Sequence, residues 1–340
     1  MAVLDDPTTW DEWGKVDDEF AQMLADKVER RFPPVELDKL PHIRSTWMQK
    51  CRADMIQMLD GNKNHVTSQE ISIPLSNGDE TRALVFKPKM DTGGDKPLLV
   101  LIHGGGFLFG VAEMEAAACI SATREYGCVS ISLDYKLAPE AKFPTAYNDC
   151  WEALQWLATN ASTIGASPAS GFILGGTSSG GQMTAALSHM ARDQSLSPPL
   201  TGVYLNVPAL VQPSLVPHMY KQMYNSRKQN EGKTGLSKET ILIFERALEA
   251  DLESELWNPM LWRNGHANLP KTYFQVCGSD VLRDDALIYE RILRKEYGIK
   301  TRLDIYPGLP HVFWYMFPGH SSVTRFHEER IKGLGWLLQQ

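Results

Sequence analysis

A serine between glycines is the residue whose setting indicates chemistry most clearly. Ser178 lies in Gly176-Thr177-Ser178-Ser179-Gly180, directly after the apolar run Phe172-Ile173-Leu174. A buried strand followed by Gly-x-Ser-x-Gly predicts a sharp turn into a helix, which holds the serine in a strained conformation with its hydroxyl exposed. Ser179 fits poorly as the nucleophile, because Thr177 rather than a glycine stands two residues before it. Ordinary Gly/Ser loops show the same pattern, so the interpretation depends on the rest of the chain.

Acyl transfer through a serine also needs a base and an acid that orients it. Asp280 follows the apolar run 273–276, and His311 follows the turn Pro307-Gly308-Leu309-Pro310 after the last predicted strand. Asp284 and Asp285 compete with Asp280, but they begin a predicted helix, where carboxylates suit the helix dipole without a catalytic role.

Two later histidines compete with His311 as the base. His320 lies in a Pro/Gly/Ser stretch and His327 lies in a charged helix. Both are therefore expected to be solvated. The chain order Ser178, Asp280, His311 is the order found in α/β-hydrolases.

Donors for the oxyanion are offered by His103-Gly104-Gly105-Gly106, which follows the apolar run 98–102. Glycines allow the backbone to approach a reacting carbonyl closely and to direct N–H groups at it. A phosphate-binding loop is the competing interpretation, but neither Gly-x-Gly-x-x-Gly nor a following Gly-Lys-Ser/Thr is present. His103 itself is expected to have a structural role.

The elements that must position these groups alternate along most of the chain. Residues 1 to about 65 are predicted to be helical, at 16–31 and 43–59, and a strand pair at 69–74 and 81–88 turns at Asn77-Gly78. Near-continuous apolar runs at 98–102 and 129–133 predict buried parallel strands, and further strands are predicted at 172–174, 203–207, 272–276 and 302–306. The repeated β-α-β order predicts an α/β fold with a mostly parallel, doubly wound sheet, interrupted between Pro208 and Pro270 by an inserted helical cap.

Several motifs together carry a family resemblance. They are the three glycines, the serine turn, Asp134-Tyr135-Lys136-Leu137-Ala138-Pro139-Glu140 with Phe143-Pro144, Asp280-Val281-Leu282-Arg283-Asp284, and Gly308-Leu309-Pro310-His311-Val312-Phe313. Over roughly residues 65 to 340 the chain resembles the hormone-sensitive-lipase family of α/β-hydrolases. The resemblance implies an N-terminal helical cap segment at 1–65 and an α/β-hydrolase domain at 66–340 with a cap insertion at about 212–260.

The same resemblance assigns expected roles. Ser178 is the nucleophile, His311 the general base and Asp280 its orienting acid, while the backbone N–H groups of Gly105, Gly106 and Ser179 form the oxyanion hole. No metal and no organic cofactor is implied. The chain departs from the usual family pattern at four positions, with Thr177 for Asp, Ser179 for Ala, Lys136 for Arg and Val312 for Gly.

The predicted activity is hydrolysis of carboxylic esters of small to medium apolar substrates through an acyl-enzyme at Ser178. An acyltransferase, thioesterase or amidase with the same triad stays open, as does a non-hydrolytic ligand receptor, which would be expected to lack part of the triad. Candidates for the apolar substrate pocket, each of which could equally be ordinary core, are Phe107, Phe109, Met219, Tyr220, Met223, Tyr224 and Trp314.

Composition narrows the partners. The formal charge of -7 is spread along the chain, and the nearest approach to a basic cluster, Arg227-Lys228 with Lys233, is interpreted as a solvated loop, so nucleic acid is not an expected partner. The N-terminus lacks the pattern of a signal peptide, and no apolar run approaches the roughly 20 residues that span a bilayer. Five scattered cysteines argue against a disulfide framework or a zinc site. We expect a cytoplasmic protein without a membrane partner that acts on a small-molecule ester; the sequence leaves its oligomeric state open.

Overall fold

A single twisted sheet runs through the protein, whose computed structural model describes residues 5–25, 37–90 and 93–339. The strands of this sheet are β1 (Val66–Pro74), β2 (Glu80–Pro88), β3 (Leu98–Ile102), β4 (Val129–Leu133), β5 (Phe172–Thr177), β6 (Gly202–Asn206), β7 (Lys271–Cys277) and β8 (Thr301–Tyr306). Their spatial order is β1-β2-β4-β3-β5-β6-β7-β8. The β1–β2 and β2–β4 pairs are antiparallel, and every other neighbouring pair is parallel. The prediction of a mostly parallel α/β sheet is confirmed.

Helices cover both faces of this sheet. Within the described residues they are α1 (Asp18–Ala25), α2 (Leu40–Asn62), α3 (Ala116–Tyr126), α4 (Thr145–Asn160), α5 (Ser179–Asp193), α6 (Ser226–Gln229), α7 (Lys238–Leu248), α8 (Arg283–Arg291), α9 (Phe313–Met316) and α10 (Ser322–Leu338). Successive β3 side chains point to opposite faces. Val100 therefore packs in one core with residues of α4 and α5, whereas Leu101 packs in a second core with residues of α3 and α10. Burial on both faces explains why β3 is apolar throughout.

The connection from β6 to β7 contains α6 and α7 and is held to the sheet by two buried carboxylates of α8. Asp284 accepts backbone N–H groups from Asn225 and Ser226 at 2.7 and 2.6 Å. Asp285 accepts the N–H groups of Leu210 and Val211 at 3.0 and 3.3 Å. Asp284 and Asp285 thus do more than interact with the dipole at the start of α8. They anchor the segment that reaches over the carboxyl end of the sheet.

The N-terminal residues pack on the same body. Phe20 of α1 meets Phe317 edge-to-face with ring centroids 4.7 Å apart. Arg44 of α2 donates to the Leu108 carbonyl at 2.7 Å and pairs with Glu140 at 2.9 Å. The helix predicted over 16–31 is present as α1, and its end beyond residue 25 lies outside the described residues.

Some expectations about single residues need correction. His320 is buried, with its Nε2 3.0 Å from Asp17 Oδ1, and His327 is partly buried, which lowers its pKa to about 3. The prediction that both are solvated is wrong, because α10 packs these side chains against the body of the protein. Four cysteines are buried and Cys51 is partly buried, all of them as free thiols. None of the helices in the described ranges combines the length and apolarity needed to cross a bilayer.

Candidate active site

Three side chains that are far apart in sequence meet beyond the carboxyl ends of β5, β7 and β8. His311 Nε2 lies 2.9 Å from Ser178 Oγ, and His311 Nδ1 lies 2.5 Å from Asp280 Oδ2. Asp280 and His311 are buried, whereas Ser178 is only partly buried. The hydrogen-bond chain therefore starts at an accessible hydroxyl and ends at a carboxylate shielded from water. This arrangement can transfer a proton from the serine to the histidine.

The turn at Ser178 is strained. Its φ of 56° and ψ of -115° fall in a region that residues with a Cβ rarely adopt. Gly176 and Gly180 make the turn possible, because a Cβ on Gly176 would lie 2.3 Å from the Gly180 carbonyl oxygen and one on Gly180 would lie 2.2 Å from that of Ile102. The helix α5 begins at the next residue, so its positive dipole end faces the serine.

The loops after β7 and β8 carry Asp280 and His311. The Leu282 N–H donates to Asp280 Oδ1 at 2.9 Å, which leaves Oδ2 for His311. Ser279 N–H donates to the Leu309 carbonyl at 2.9 Å and so joins the two loops. Val312 adopts a left-handed conformation, with φ 51° and ψ 36°, directly after the histidine. A residue with a Cβ is strained there by roughly 1–2 kcal/mol, which explains why glycine suits this position better.

The glycine loop after β3 runs beside the serine. The Gly105 amide donates to no other described residue, and the Ser179 amide has no partner within α5 because it stands at the helix start. The Gly106 N–H, in contrast, donates to the Ser179 hydroxyl at 3.0 Å. A substrate oxygen that uses the Gly106 amide must therefore displace the Ser179 hydroxyl.

A supporting layer lies under this loop. His103 is buried, stacks on Tyr135 with centroids 4.3 Å apart, and lies 2.8 Å through Nδ1 from the Gly104 carbonyl. Burial lowers the pKa of His103, so the neutral ring fits this place. The Tyr135 hydroxyl donates to the His103 carbonyl at 3.2 Å. Asp134 accepts the Ala112 N–H at 2.6 Å. These contacts match the structural role expected for His103.

A buried carboxyl group lies under the serine turn. Thr177 Oγ1 donates to Glu115 at 2.7 Å and accepts from Asn206 Nδ2 at 3.2 Å. Glu115 and Thr177 are each 2% exposed. Desolvation raises the pKa of Glu115, and the charge of Arg330 opposes that rise. A buried carboxyl group thus lies directly beside position 177, and the Thr177 hydroxyl donates to it.

This contact predicts the effect of Thr177→Asp. Two buried carboxyl groups in hydrogen-bond range cannot both ionise, so we expect the free energy of unfolding to fall by about 3 kcal/mol at neutral pH. Because one pKa of the folded pair then lies above its unfolded value of about 4, the deficit is small near pH 4, grows as the pH rises from there toward the folded pKa, and is fully present at neutral pH. Urea unfolding at both pH values measures it.

The control for this prediction is Thr177→Ser, which keeps the hydroxyl and is expected to stay close to wild type. The double variant Thr177→Asp/Glu115→Gln removes the second carboxyl group and is expected to recover most of the stability. Equal stability of Thr177→Asp and wild type at both pH values would contradict this account.

A cleft open to solvent runs from Ser178 toward the insertion. Its apolar lining includes Phe107, Val211, Leu236, Ile241, Phe244 and Trp257. Polar groups also line it, namely Gln182, Gln212, Arg227 and Glu245. Much of this lining comes from the β6–β7 connection. No sequence motif in this connection indicates that its residues line a cleft.

The structure places most of the predicted pocket residues elsewhere, and Phe107 alone of the seven lines the cleft. Phe109 packs behind it against Phe244, with centroids 6.4 Å apart. Trp314 stacks on Phe326 in a core under β8, with centroids 3.9 Å apart.

The aromatic and methionine segment near residue 220 turns away from the serine. Met219 is 66% exposed, and Tyr220 donates to Glu296. Met223 packs beside the core under β7, and the Tyr224 hydroxyl donates to Asp285 at 2.8 Å. The prediction that these residues form the pocket is wrong, because the apolar side of this segment faces α8 and its own core.

Among the described residues, Asp17, Glu19 and His320 are spaced like metal ligands. His320 Nδ1 accepts the Ser322 N–H at 3.1 Å, so a neutral ring carries its proton on Nε2, which points at Asp17. The group is thus explained as a hydrogen-bonded contact between α1 and the start of α10.

Comparison with known proteins agrees with this geometry. The profile of the alpha/beta hydrolase fold family matches residues 99–315. An AB hydrolase superfamily protein of Schizosaccharomyces pombe is 36% identical over 85% of this chain and 85% of its own. The versiconal hemiacetal acetate esterase of Dothistroma septosporum is 31% identical over 80% of this chain and 83% of its own.

Solved structures give the same picture. The crystal structure of vibralactone cyclase superposes with a TM-score of 0.87 at 30% identity, covering 96% of both chains. A bacterial heroin esterase superposes with a TM-score of 0.78 at 26% identity, covering 96% of this chain and 100% of its own. The chain belongs to the hormone-sensitive-lipase-like family of α/β-hydrolases. It is a carboxylic ester hydrolase of that family.

Proposed function

We propose that the protein hydrolyses carboxylic esters of small to medium size through an acyl-enzyme at Ser178. The observation that carries this proposal is the hydrogen-bond chain from Ser178 Oγ through His311 to Asp280, at 2.9 and 2.5 Å. His311 Nε2 takes the serine proton while Oγ attacks the ester carbonyl, and the same proton then passes to the oxygen of the leaving alcohol. Water, activated by His311, releases the acid and restores the serine.

Negative charge on the carbonyl oxygen would be stabilised by the amides of Gly105, Gly106 and Ser179. The free amides of Gly105 and Ser179 and the dipole of α5 support this role. The Ser179 hydroxyl holds the Gly106 amide until the oxyanion displaces it.

The substrate range follows from the cleft. Its walls are mostly apolar, which suits an apolar acyl group. Relatives whose names give a substrate, a versiconal hemiacetal acetate esterase and a heroin esterase, are named for small esters. A place in metabolite biosynthesis or processing would fit such a substrate.

The covering of the cleft belongs to this proposal. The insertion at about 212–260 contributes Leu236, Ile241, Phe244 and Trp257 to the lining, as a cap would. The assignment of residues 1–65 as the second part of the cap and the cytoplasmic location both stay predictions.

Acyl transfer to a hydroxyl in place of water is the second candidate. It is favoured by the similarity to a protein described as a cyclase, at a TM-score of 0.87. Both reactions share the acyl-enzyme, so product analysis with an added alcohol distinguishes them. Ester formation that exceeds acid release at low alcohol concentration would favour transfer.

Labelling with a fluorophosphonate tests the proposed nucleophile. The reagent phosphonylates a serine that an adjacent histidine activates, so we expect one adduct, which tandem mass spectrometry places on Ser178 and not on Ser179. A protein that binds but does not hydrolyse esters would remain unlabelled. An adduct on Ser179 would contradict the assignment of the nucleophile.

Gly106→Ala tests the oxyanion loop. Gly106 has a φ of +60°, and an added Cβ would lie 2.2 Å from the Phe244 ring. The loop must shift and carry its amide out of position, so we expect kcat to fall by roughly 10²- to 10³-fold toward p-nitrophenyl butyrate. Adding Phe244→Ala removes the contact but leaves the backbone strain, so we expect a partial recovery.

The matched control is Gly78→Ala. Gly78 also has a positive φ, of +85°, but a Cβ there would meet nothing within 4 Å. Gly78→Ala is expected to have a lower free energy of unfolding, as Gly106→Ala has, because both place a Cβ at a positive φ. It is expected to keep the kcat of wild type. A Gly106→Ala enzyme with the kcat of wild type would contradict the oxyanion assignment.

A further inference from the structure

Arg227 lies inside the cleft and is only partly paired. Its Nε donates to the Tyr224 hydroxyl at 3.2 Å and its Nη2 to Asp285 at 3.4 Å. A guanidinium has five N–H donors, and those on Nη1 donate to no other residue in the part of the chain that the structure describes. The side chain is 21% exposed, and it lines the cleft together with Ser178. The sequence-based interpretation of Arg227 as part of a solvated loop is therefore wrong.

Asp285 engages only part of the guanidinium. Arg227 is the cation that offsets the charge of this buried carboxylate, through one contact at 3.4 Å. The Asp285 carboxylate also accepts two backbone N–H groups and the Tyr224 hydroxyl at 2.8 Å. The Nη1 donors are not sealed from solvent, so they remain available in the cleft. An acceptor brought by a bound molecule would satisfy them.

Arg227 also lies where two spaces meet. A second cavity, of about 840 Å³, shares Gln212, Arg227, Ile241 and Glu245 with the cleft. A chain that extends from Ser178 must pass the guanidinium before it reaches this outer space.

The position of His311 indicates which part of the ester enters. The leaving alcohol must lie near His311 Nε2 to receive its proton. Gly106, Ser178 and Ser179 of the oxyanion side line the cleft. We take the cleft as the acyl side of the site and the space beyond His311 as the alcohol side.

We propose that Arg227 determines acyl specificity by binding an oxygen acceptor on the acyl chain, so that the preferred substrates are esters of oxo or carboxy acids. The inference rests on the proposed function, because it needs the acyl group on Ser178. Glu245 faces the same junction and would repel a second carboxylate, although burial raises its pKa. We therefore expect a higher kcat/KM for the ester of a neutral oxo acid than for the ester of a carboxy acid.

The test compares three p-nitrophenyl esters with five-carbon acyl chains: pentanoate without an acceptor, levulinate with a keto oxygen, and hemiglutarate with a carboxylate. For wild type we expect kcat/KM to be at least about tenfold higher for levulinate than for pentanoate, as for a hydrogen bond to a charged donor. Arg227→Met should remove this preference, and Arg227→Lys, which keeps the charge but loses the planar fork, should reduce it. Arg263→Met changes an arginine that is 78% exposed and should keep the wild-type ratio.

The outcomes distinguish the acyl specificity of Arg227 from the ester hydrolysis on which it rests. Equal kcat/KM for the three esters in wild type, or an equal slowing of all three by Arg227→Met, would overturn the specificity inference while leaving the esterase. A preference for hemiglutarate over levulinate would identify a carboxylate as the acceptor. If wild type hydrolysed none of the esters, the proposed function itself would fail. Should Arg227→Met not fold, the ester ratios of Arg227→Lys give the test.

Discussion

Replacement of Ser178 by alanine is expected to lower kcat toward p-nitrophenyl butyrate by about 10⁴- to 10⁶-fold. The hydroxyl oxygen is the atom that forms the acyl-enzyme, and among the described residues no other hydroxyl is hydrogen-bonded to His311 Nε2. The residual rate would come from substrate binding and from the oxyanion donors, which the variant keeps. Pre-steady-state measurements with excess substrate should also show that the burst of p-nitrophenol disappears, because no acyl-enzyme accumulates.

Two further variants make this result specific. Ser68→Ala changes an exposed serine on β1 and should behave as wild type. Ser178→Gly also removes the hydroxyl, but it relieves the backbone strain at a φ of 56°, so we expect it to be inactive and about 1 kcal/mol more stable. An alanine variant that kept its activity would sink the mechanism, whatever its stability.

Replacement of Asp280 by asparagine should lower kcat by roughly 10⁴-fold at neutral pH without unfolding the protein. The Leu282 N–H donates to Oδ1 at 2.9 Å, and an asparagine would place its carbonyl oxygen there to keep this bond. Its NH₂ group would then face His311 Nδ1 and donate to it. The ring would carry its proton on Nε2 and could not accept the proton of Ser178.

The competing acid is tested in the same assay. Asp284→Asn should leave His311 unaffected, because the Asp284 carboxylate accepts the N–H groups of Asn225 and Ser226 and contacts Arg283. We expect that variant to lose stability more than it loses chemistry. Asp60→Asn, at an exposed position of α2, is the matched control with no expected effect. Full activity of Asp280→Asn together with an inactive, folded Asp284→Asn would reassign the acid.

The reacting groups could be predicted because their signals are local. The tight turn at Ser178 needs small residues two positions away on each side, and only glycine meets that demand, so the motif is visible in a short stretch. The most deeply buried strands can also be recognised locally. They appear as apolar runs because both of their faces are covered. Asp280 and His311 could be placed because the ends of parallel strands lie at one edge of a sheet.

The cleft could not be predicted in this way. Arg227 and Phe244 lie in the connection from β6 to β7, whose path depends on which surfaces it meets and not on its own periodicity. The carboxylates of Asp284 and Asp285 direct that path, and no pattern near residue 225 reveals them. The aromatic run near residue 220 looked like a pocket because apolar side chains satisfy a core and a substrate equally well. Its neighbours in space, here α8 and Glu296, decided between the two.

The serine turn thus follows from the amino-acid order alone, as do the class of fold and the kind of chemistry, because backbone strain and strand burial constrain residues a few positions apart. The residues that line the cleft and the hydrogen bond from Thr177 to Glu115 could be known only from the folded chain. Both depend on contacts between residues dozens of positions apart, where packing and desolvation, rather than local conformation, determine which side chains meet.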